Sequence, residues 1–181
     1  MTARTLWRKY GLYCIALVLI AVDQWTKYLV RSHLPLNRDT VLIPSLNKVF
    51  TFTYIHNTGG AFGLFPGVGL PFILVAIAVV VIIALYSRQI GTGPWFLRLA
   101  FGLQLGGAIG NLVDRIAFGY VTDFINFRWW PVWNVADSCI VVGTILLLIF
   151  VIFFDRLNKQ PAALPAEVAA PPSAPEPRND Q

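Results

Sequence analysis

Hydrophobic and polar positions fall in long blocks along this chain, not in short periods. Four blocks are apolar enough to form membrane-spanning helices, at about residues 10–30, 68–86, 95–113 and 135–154. A helix needs about 20 residues to cross the hydrocarbon core. The purely apolar part of the first block, YGLYCIALVLIAV, is short, so a span must also take in Asp23 and Lys27. These two share one helix face at i,i+4. The second block, VGLPFILVAIAVVVIIALY, carries no charge. Arg98 lies near the start of the third, and the fourth begins with Asp137 close to its head. A connection running from Arg31 to Gly67 separates the first two spans, and within it KVFTFTYI alternates as a strand would. A small extracytoplasmic sheet over about residues 40–66 is therefore expected. The link between the last two spans contains VTDFINFRWWPVWNVADS, from Val121 to Ser138. It reads as a loop whose aromatic run, FRWWPVW, rides as a flap at the membrane surface, where Trp is favoured. The predicted fold class is an all-α integral membrane protein: four transmembrane helices, a small extracytoplasmic β-sheet and an interfacial aromatic flap. One domain covers residues 1–159. Residues 160–181 are rich in Pro and Ala and are expected to form a disordered cytoplasmic tail.

Composition supports the membrane reading. The chain has 181 residues, 56% of them hydrophobic and only 13% charged, with a mean hydropathy of +0.64. A soluble domain of this size would have far too much apolar surface to bury. The net charge of +5 comes from cations scattered singly or in short groups, with no basic helix or stripe. No nucleic-acid partner is expected. The cations instead suggest a topology. Arg4, Arg8 and Lys9, then Arg88 and Arg98, then Arg156 and Lys159 fall on one side of an even number of spans, which places both termini in the cytoplasm. The bias is weakened by Arg31, Arg38, Lys48, Arg115 and Arg128 on the other side. The first span follows basic residues as a signal peptide would, but DQWTK stands where a small-residue cleavage site is needed. It reads as a retained helix. Cys14 and Cys139 lie in or beside apolar runs and read as small buried hydrophobes. With no CxxC and with His33 and His56 far apart, no metal or cofactor is expected.

The candidate chemistry lies in the remaining polar residues. Gly102, Gly106 and Gly110 recur every fourth position and make a smooth stripe for a neighbouring helix. Asn111, Asp114 and Arg115 follow at the outer end of that span. Asp123 comes next, and then Asn134 and Asp137, where Asn134 is placed to cap the last helix. With Asp23, Lys27 and Asn57, these residues all fall at the outer ends of the predicted spans or in adjoining loops. Polar groups at a bilayer are costly and normally face a protein interior or a wet cavity. Two carboxylates a few ångströms apart do not both ionise easily. Such a pair can run peptide hydrolysis, with one carboxylate as base and the other as acid. It can equally serve a small proton-coupled carrier. Spacing alone leaves both open, and a plain membrane anchor is a third reading.

Five segments resemble one family, the bacterial lipoprotein signal peptidases, or type II signal peptidases. They are DQWTK (Asp23 to Lys27), NTGGAFG (Asn57 to Gly63), GGAIGNLVDR (Gly106 to Arg115), VTDF (Val121 to Phe124) and WNVADS (Trp133 to Ser138), in the family's order. The resemblance implies an inner-membrane aspartic endopeptidase. Its substrate would be a diacylglyceryl-modified prolipoprotein, recognised through signal-peptide helix and lipid and cut just before the lipidated cysteine. It implies Asp123 and Asp137 as the catalytic pair, no cofactor or metal, and a site near the outer face of the membrane. Asp23, Lys27, Asn57, Asn111, Arg115 and Asn134 match the family's supporting residues. Asp114, the competitor of Asp123 by sequence, is read as a supporting residue beside Arg115. A monomer in contact with membrane lipid is expected. The chain departs from the family's pattern at Trp133, where Phe is usual, and at Gly60, where Ala is commoner.

Overall fold

The computed structural model describes residues 2–59 and 69–158. The expected tail, residues 160–181, and the glycine-rich end of NTGGAFG lie outside the described residues. Four helices are long and apolar enough to span a membrane: α1 (Ala3–His33), α2 (Gly69–Thr92), α3 (Trp95–Phe118) and α4 (Val135–Asn158). Three short strands, β1 (Asp39–Thr40), β2 (Phe50–Asn57) and β3 (Val121–Phe127), complete the fold.

The first three helices extend beyond the hydrophobic blocks that announced them, and polar groups at their ends find partners. The first helix starts on Thr2, whose hydroxyl accepts from the Thr5 N–H, and ends just before Pro35. At the far end of α2, Ser87 and Thr92 hydroxyls bond back to the carbonyls of Ala84 and Gln89. Arg98 of α3 then donates to the carbonyls of Gly91 and Gly93 at 3.0 and 2.8 Å, which satisfies acceptors that the end of α2 leaves over. The third helix stops at Gly119, which takes a left-handed φ of 78° and donates its N–H to the Arg115 carbonyl.

The third helix is the inner one. Half of its apolar window is buried inside the protein, against 11–17% for the other three. It packs on α1, α2 and α4, while side chains such as Leu17, Leu74, Leu85 and Leu148 face outward. The glycine stripe makes this close packing fit. A Cβ on Gly106 would fall 2.9 Å from the Leu19 Cβ, and one on Gly110 would fall 2.6 Å from Asp23 Oδ2. The stripe therefore lets α1 bring an acidic side chain against the α3 backbone. Gly110→Ala is expected to destabilise the protein by about 1–3 kcal/mol through overpacking. A lowered thermal midpoint in detergent would show this, and an unchanged one would mean that α1 and α3 can part at no cost. Cys139 is buried as expected, whereas Cys14 lies exposed on the outer face of α1. The apolar setting of Cys14 is thus the surroundings of the bundle, and not its core.

The strands form one antiparallel sheet in the order β1-β2-β3. KVFTFTYI contributes to β2, as its alternation predicts. VTDFINF, expected to be loop, is instead β3, paired with β2 so that Ile55 lies opposite Asp123 and Asn57 opposite Val121. Asp and Asn are poor strand formers, which hides a run otherwise made of β-branched and aromatic residues. Val30, Tyr54 and Phe124 form a small core between the sheet and the end of the helices. The following aromatic run is tethered at its start. Arg128 pairs with Asp39 at 3.2 Å and donates Nε–H to the Asn47 carbonyl, while Trp129 and Trp130 stay 73% and 49% exposed.

Candidate active site

All the polar residues singled out in the sequence meet at the end of the helix bundle that carries the sheet, where they form two groups of different electrical character. The first group is built on one face of α1. Lys27 is fully buried, with Nζ 2.9 Å from Asp23 Oδ2 and 3.4 Å from Asp114 Oδ2. Arg31, one further turn along, reaches Asp114 Oδ1 at 3.5 Å and donates to Thr122 Oγ1 at 3.0 Å. Two buried acids thus face two cations. The remaining acceptor sites hold backbone in place. Asp23 Oδ1 accepts the Ala136 N–H at 2.9 Å in the first turn of α4, where a negative charge is favoured. Asp114 Oδ2 accepts the Thr122 N–H at 2.8 Å, immediately before Asp123. Gln24 adds bonds to the Gly110 carbonyl and Asp114.

The second group holds Asp123 and Asp137, and among the described residues neither forms an ion pair. Both carboxylates are held by amide side chains instead. Asn134 donates to Asp123 Oδ1 at 2.6 Å and Asn57 to Asp123 Oδ2 at 2.8 Å. Asn111 donates to Asp137 Oδ1 at 2.7 Å. The amides are themselves oriented. Asn111 Oδ1 accepts from both Lys27 Nζ at 2.9 Å and Asn134 Nδ2 at 3.1 Å, which leaves its NH₂ for Asp137. Asn134 Oδ1 accepts the Asp137 N–H while Asp137 Oδ2 accepts the Asn134 N–H, a reciprocal cap that starts α4. Lys27 therefore touches neither carboxylate of this pair but fixes the amide between them. Asp123 is 1% exposed. Burial, and next the negative charge of Asp137, push its carboxyl up to about 7, against the opposing pull of the Asn57 and Asn134 hydrogen bonds.

The pair opens on a cavity of about 700 Å³. Asn57, Asn111, Arg115, Asp123, Asp137 and Ser138 make its polar side, and the aromatic run and α4 make the rest apolar. Arg115 donates to the Gly59 carbonyl at 3.3 Å and lies over the Phe72 ring. Asp114 does not line this cavity. Three residues of the charged group were not singled out in the sequence: Gln24, Arg31 and Thr122. Arg31 was nonetheless legible, since Asp23, Lys27 and Arg31 repeat every fourth residue along one helix face.

A bundle of membrane helices with a buried carboxylate centre at its sheet-covered end defines a multi-pass membrane protein with the layout of an enzyme. Two solved structures, each described as a bacterial membrane enzyme, share the fold. One superposes with a TM-score of 0.73 at 27% identity, over 86% of this chain and 94% of its own. The other gives 0.67 at 27% identity, over 78% and 92%. The family described as Signal peptidase (SPase) II matches residues 15–153. A lipoprotein signal peptidase of Halothermothrix orenii is 41% identical over 138 residues, covering 76% of this chain and 92% of that protein. One of Moorella thermoacetica is 43% identical over 133 residues, covering 74% and 87%. The chain belongs to the signal peptidase II family, and so to the membrane proteases.

Proposed function

We propose that this protein is an aspartic endopeptidase that removes the signal peptide from diacylglyceryl-modified prolipoproteins, cutting just before the lipidated cysteine. The observation that carries the reading is the division of the four aspartates, three of them buried and Asp137 half-buried. Asp23 and Asp114 are neutralised by Lys27 and Arg31, while Asp123 and Asp137 share neutral donors and face the cavity. A close carboxylate pair with no ion-pair contact keeps one proton near neutral pH. The ionised member takes a proton from water, whose oxygen attacks the scissile carbonyl carbon. The protonated member donates to the carbonyl oxygen, and the tetrahedral intermediate then collapses as a proton passes to the leaving nitrogen. Arg115 and Asn57 orient the substrate backbone beside the pair. Arg115→Ala should lower the cleavage rate while leaving the protein in the membrane, as measured on membrane fractions.

The reading places the protein in the bacterial inner membrane as a monomer, with both termini cytoplasmic and the site near the outer face. Arg31 and Arg128, two cations that weakened the topological bias, are engaged by Asp114 and Asp39 within the chain. The decisive experiment mixes the purified protein with a lipid-modified prolipoprotein peptide. Release of the signal peptide supports the assignment, and its absence overturns it.

The elevated Asp123 carboxyl also predicts a pH dependence. Its folded-state value of about 7 lies above the ordinary 3.8, so the folded state favours the proton. The stability this brings is complete below about pH 4 and is lost as pH rises through 7. Asp123→Asn should therefore raise the thermal midpoint at pH 8 and leave it nearly unchanged at pH 4. In the unaltered protein kcat/KM should fall on the alkaline side near pH 7, a limb that belongs to the pair as a unit. A rate that keeps climbing to pH 9 would contradict the shared proton.

A further inference from the structure

The aromatic wall of the cavity is fixed to the rest of the protein at Trp133. The backbone of this residue pairs with β3. Its N–H donates to the Ile125 carbonyl at 3.1 Å, and its carbonyl accepts from the N–H groups of Ile125 at 2.8 Å and Phe124 at 3.0 Å. This bridge closes residues 126–132 into a loop whose neck lies two positions past Asp123. The side chain makes a second tie. The indole stacks on Phe127, with centroids 5.2 Å apart and planes within 15° of parallel, and its Nε1–H donates to Ser138 Oγ at 3.1 Å. Ser138 in turn donates to the Asn134 carbonyl at 3.1 Å. Trp133 and Ser138 both line the cavity, with Ser138 next to Asp137 in sequence.

We infer that the Trp133–Ser138 hydrogen bond is a positioning device that pre-sets the apolar wall of the cavity, and that it governs how tightly the lipid-bearing end of the substrate binds, not how fast the peptide bond is cut. The inference rests on the peptidase reading. The indole N–H and the Ser138 hydroxyl hydrogen are directed at Ser138 Oγ and the Asn134 carbonyl, so neither is aimed at Asp123 or Asp137. Their effect is on shape. The ring is held on Phe127 and on the first turn of α4, and Trp129, Trp130, Val132, Val141 and Val142 line the same cavity. A wall ordered in advance removes part of the entropy cost of binding. Phe at this position would keep the stack and lose the bond, and that is the departure from the family's pattern seen in WNVADS.

The test is steady-state cleavage of a lipid-modified prolipoprotein peptide by the full chain in detergent. Trp133→Phe and Ser138→Ala should each raise KM about three- to tenfold, the net worth of one hydrogen bond, with kcat within about twofold. Ser138→Thr, which keeps the hydroxyl, should restore KM. The double variant Trp133→Phe/Ser138→Ala should be no worse than either single change, because both remove one bond. Loss of kcat at constant KM, additive effects, or no effect in either single variant would overturn the inference. If any of these appears while Asp123→Asn is inactive, the peptidase reading stands and only this inference falls. No cleavage by the unaltered chain would sink both.

Discussion

Asp123→Asn and Asp137→Asn are each expected to cut signal-peptide release by on the order of a thousandfold or more. An amide is almost the same size as a carboxyl but can neither take a proton from water nor hand one to a carbonyl oxygen. Part of the local hydrogen bonding survives the change. Asn134 and Asn57 both donate to Asp123, and a new amide oxygen still accepts from one of them. The variants should therefore remain folded in the membrane while inactive. The double variant should be hardly worse than either single one, since the two carboxylates act as a unit. Asp114→Asn provides the contrast. Its carboxylate faces Lys27, Arg31 and the Thr122 N–H, so its loss should appear first as lower stability. Cleavage at more than a few per cent of normal by Asp123→Asn would shift the catalytic assignment away from this pair.

Lys27→Met should have the largest effect on stability. Lys27 is 0% exposed and stands between Asp23 and Asp114 while holding Asn111. Methionine fills much of the same space but leaves two buried carboxylates facing each other without their shared cation. Breaking a buried ion pair from one side costs about 3–5 kcal/mol. The thermal midpoint in detergent should drop by many degrees, and cleavage should fall with it as Asn111 loses the contact that orients its amide toward Asp137. A midpoint within about two degrees of the unaltered protein would mean that Arg31 alone can hold the cluster.

The four spans were legible because block hydrophobicity is a strong signal, whereas Asp123 and Asp137 were paired through the family resemblance, and not through composition or spacing. What escaped the sequence depended on partners distant along the chain. β3 looked like loop because its backbone is satisfied by β2, more than 60 residues earlier, and not by a local pattern. Asp114 was set apart from Asp123 by its neighbour Arg115, but the cations that pair with it are Lys27 and Arg31, and Arg31 lies 83 positions away. The glycine stripe of α3 was visible as a packing surface, but its purpose of admitting Asp23 appears only when Asp23 Oδ2 is found where a Gly110 Cβ would be.

The hydrogen bond from the Ala136 N–H to Asp23 Oδ1 joins residues 113 positions apart. It has a consequence for biogenesis. The acceptor is carried by α1, which leaves the ribosome before α4, and the donor belongs to the head of α4. Before α3 and α4 arrive, the i,i+4 contact of Asp23 and Lys27 leaves residues 10–30 of α1 with no net charge. The nascent chain thus carries its own temporary counter-ion through insertion. On the proposed assignment, Asp137 joins Asp123 only when α4 docks, so a copy without α4 in place should not cut.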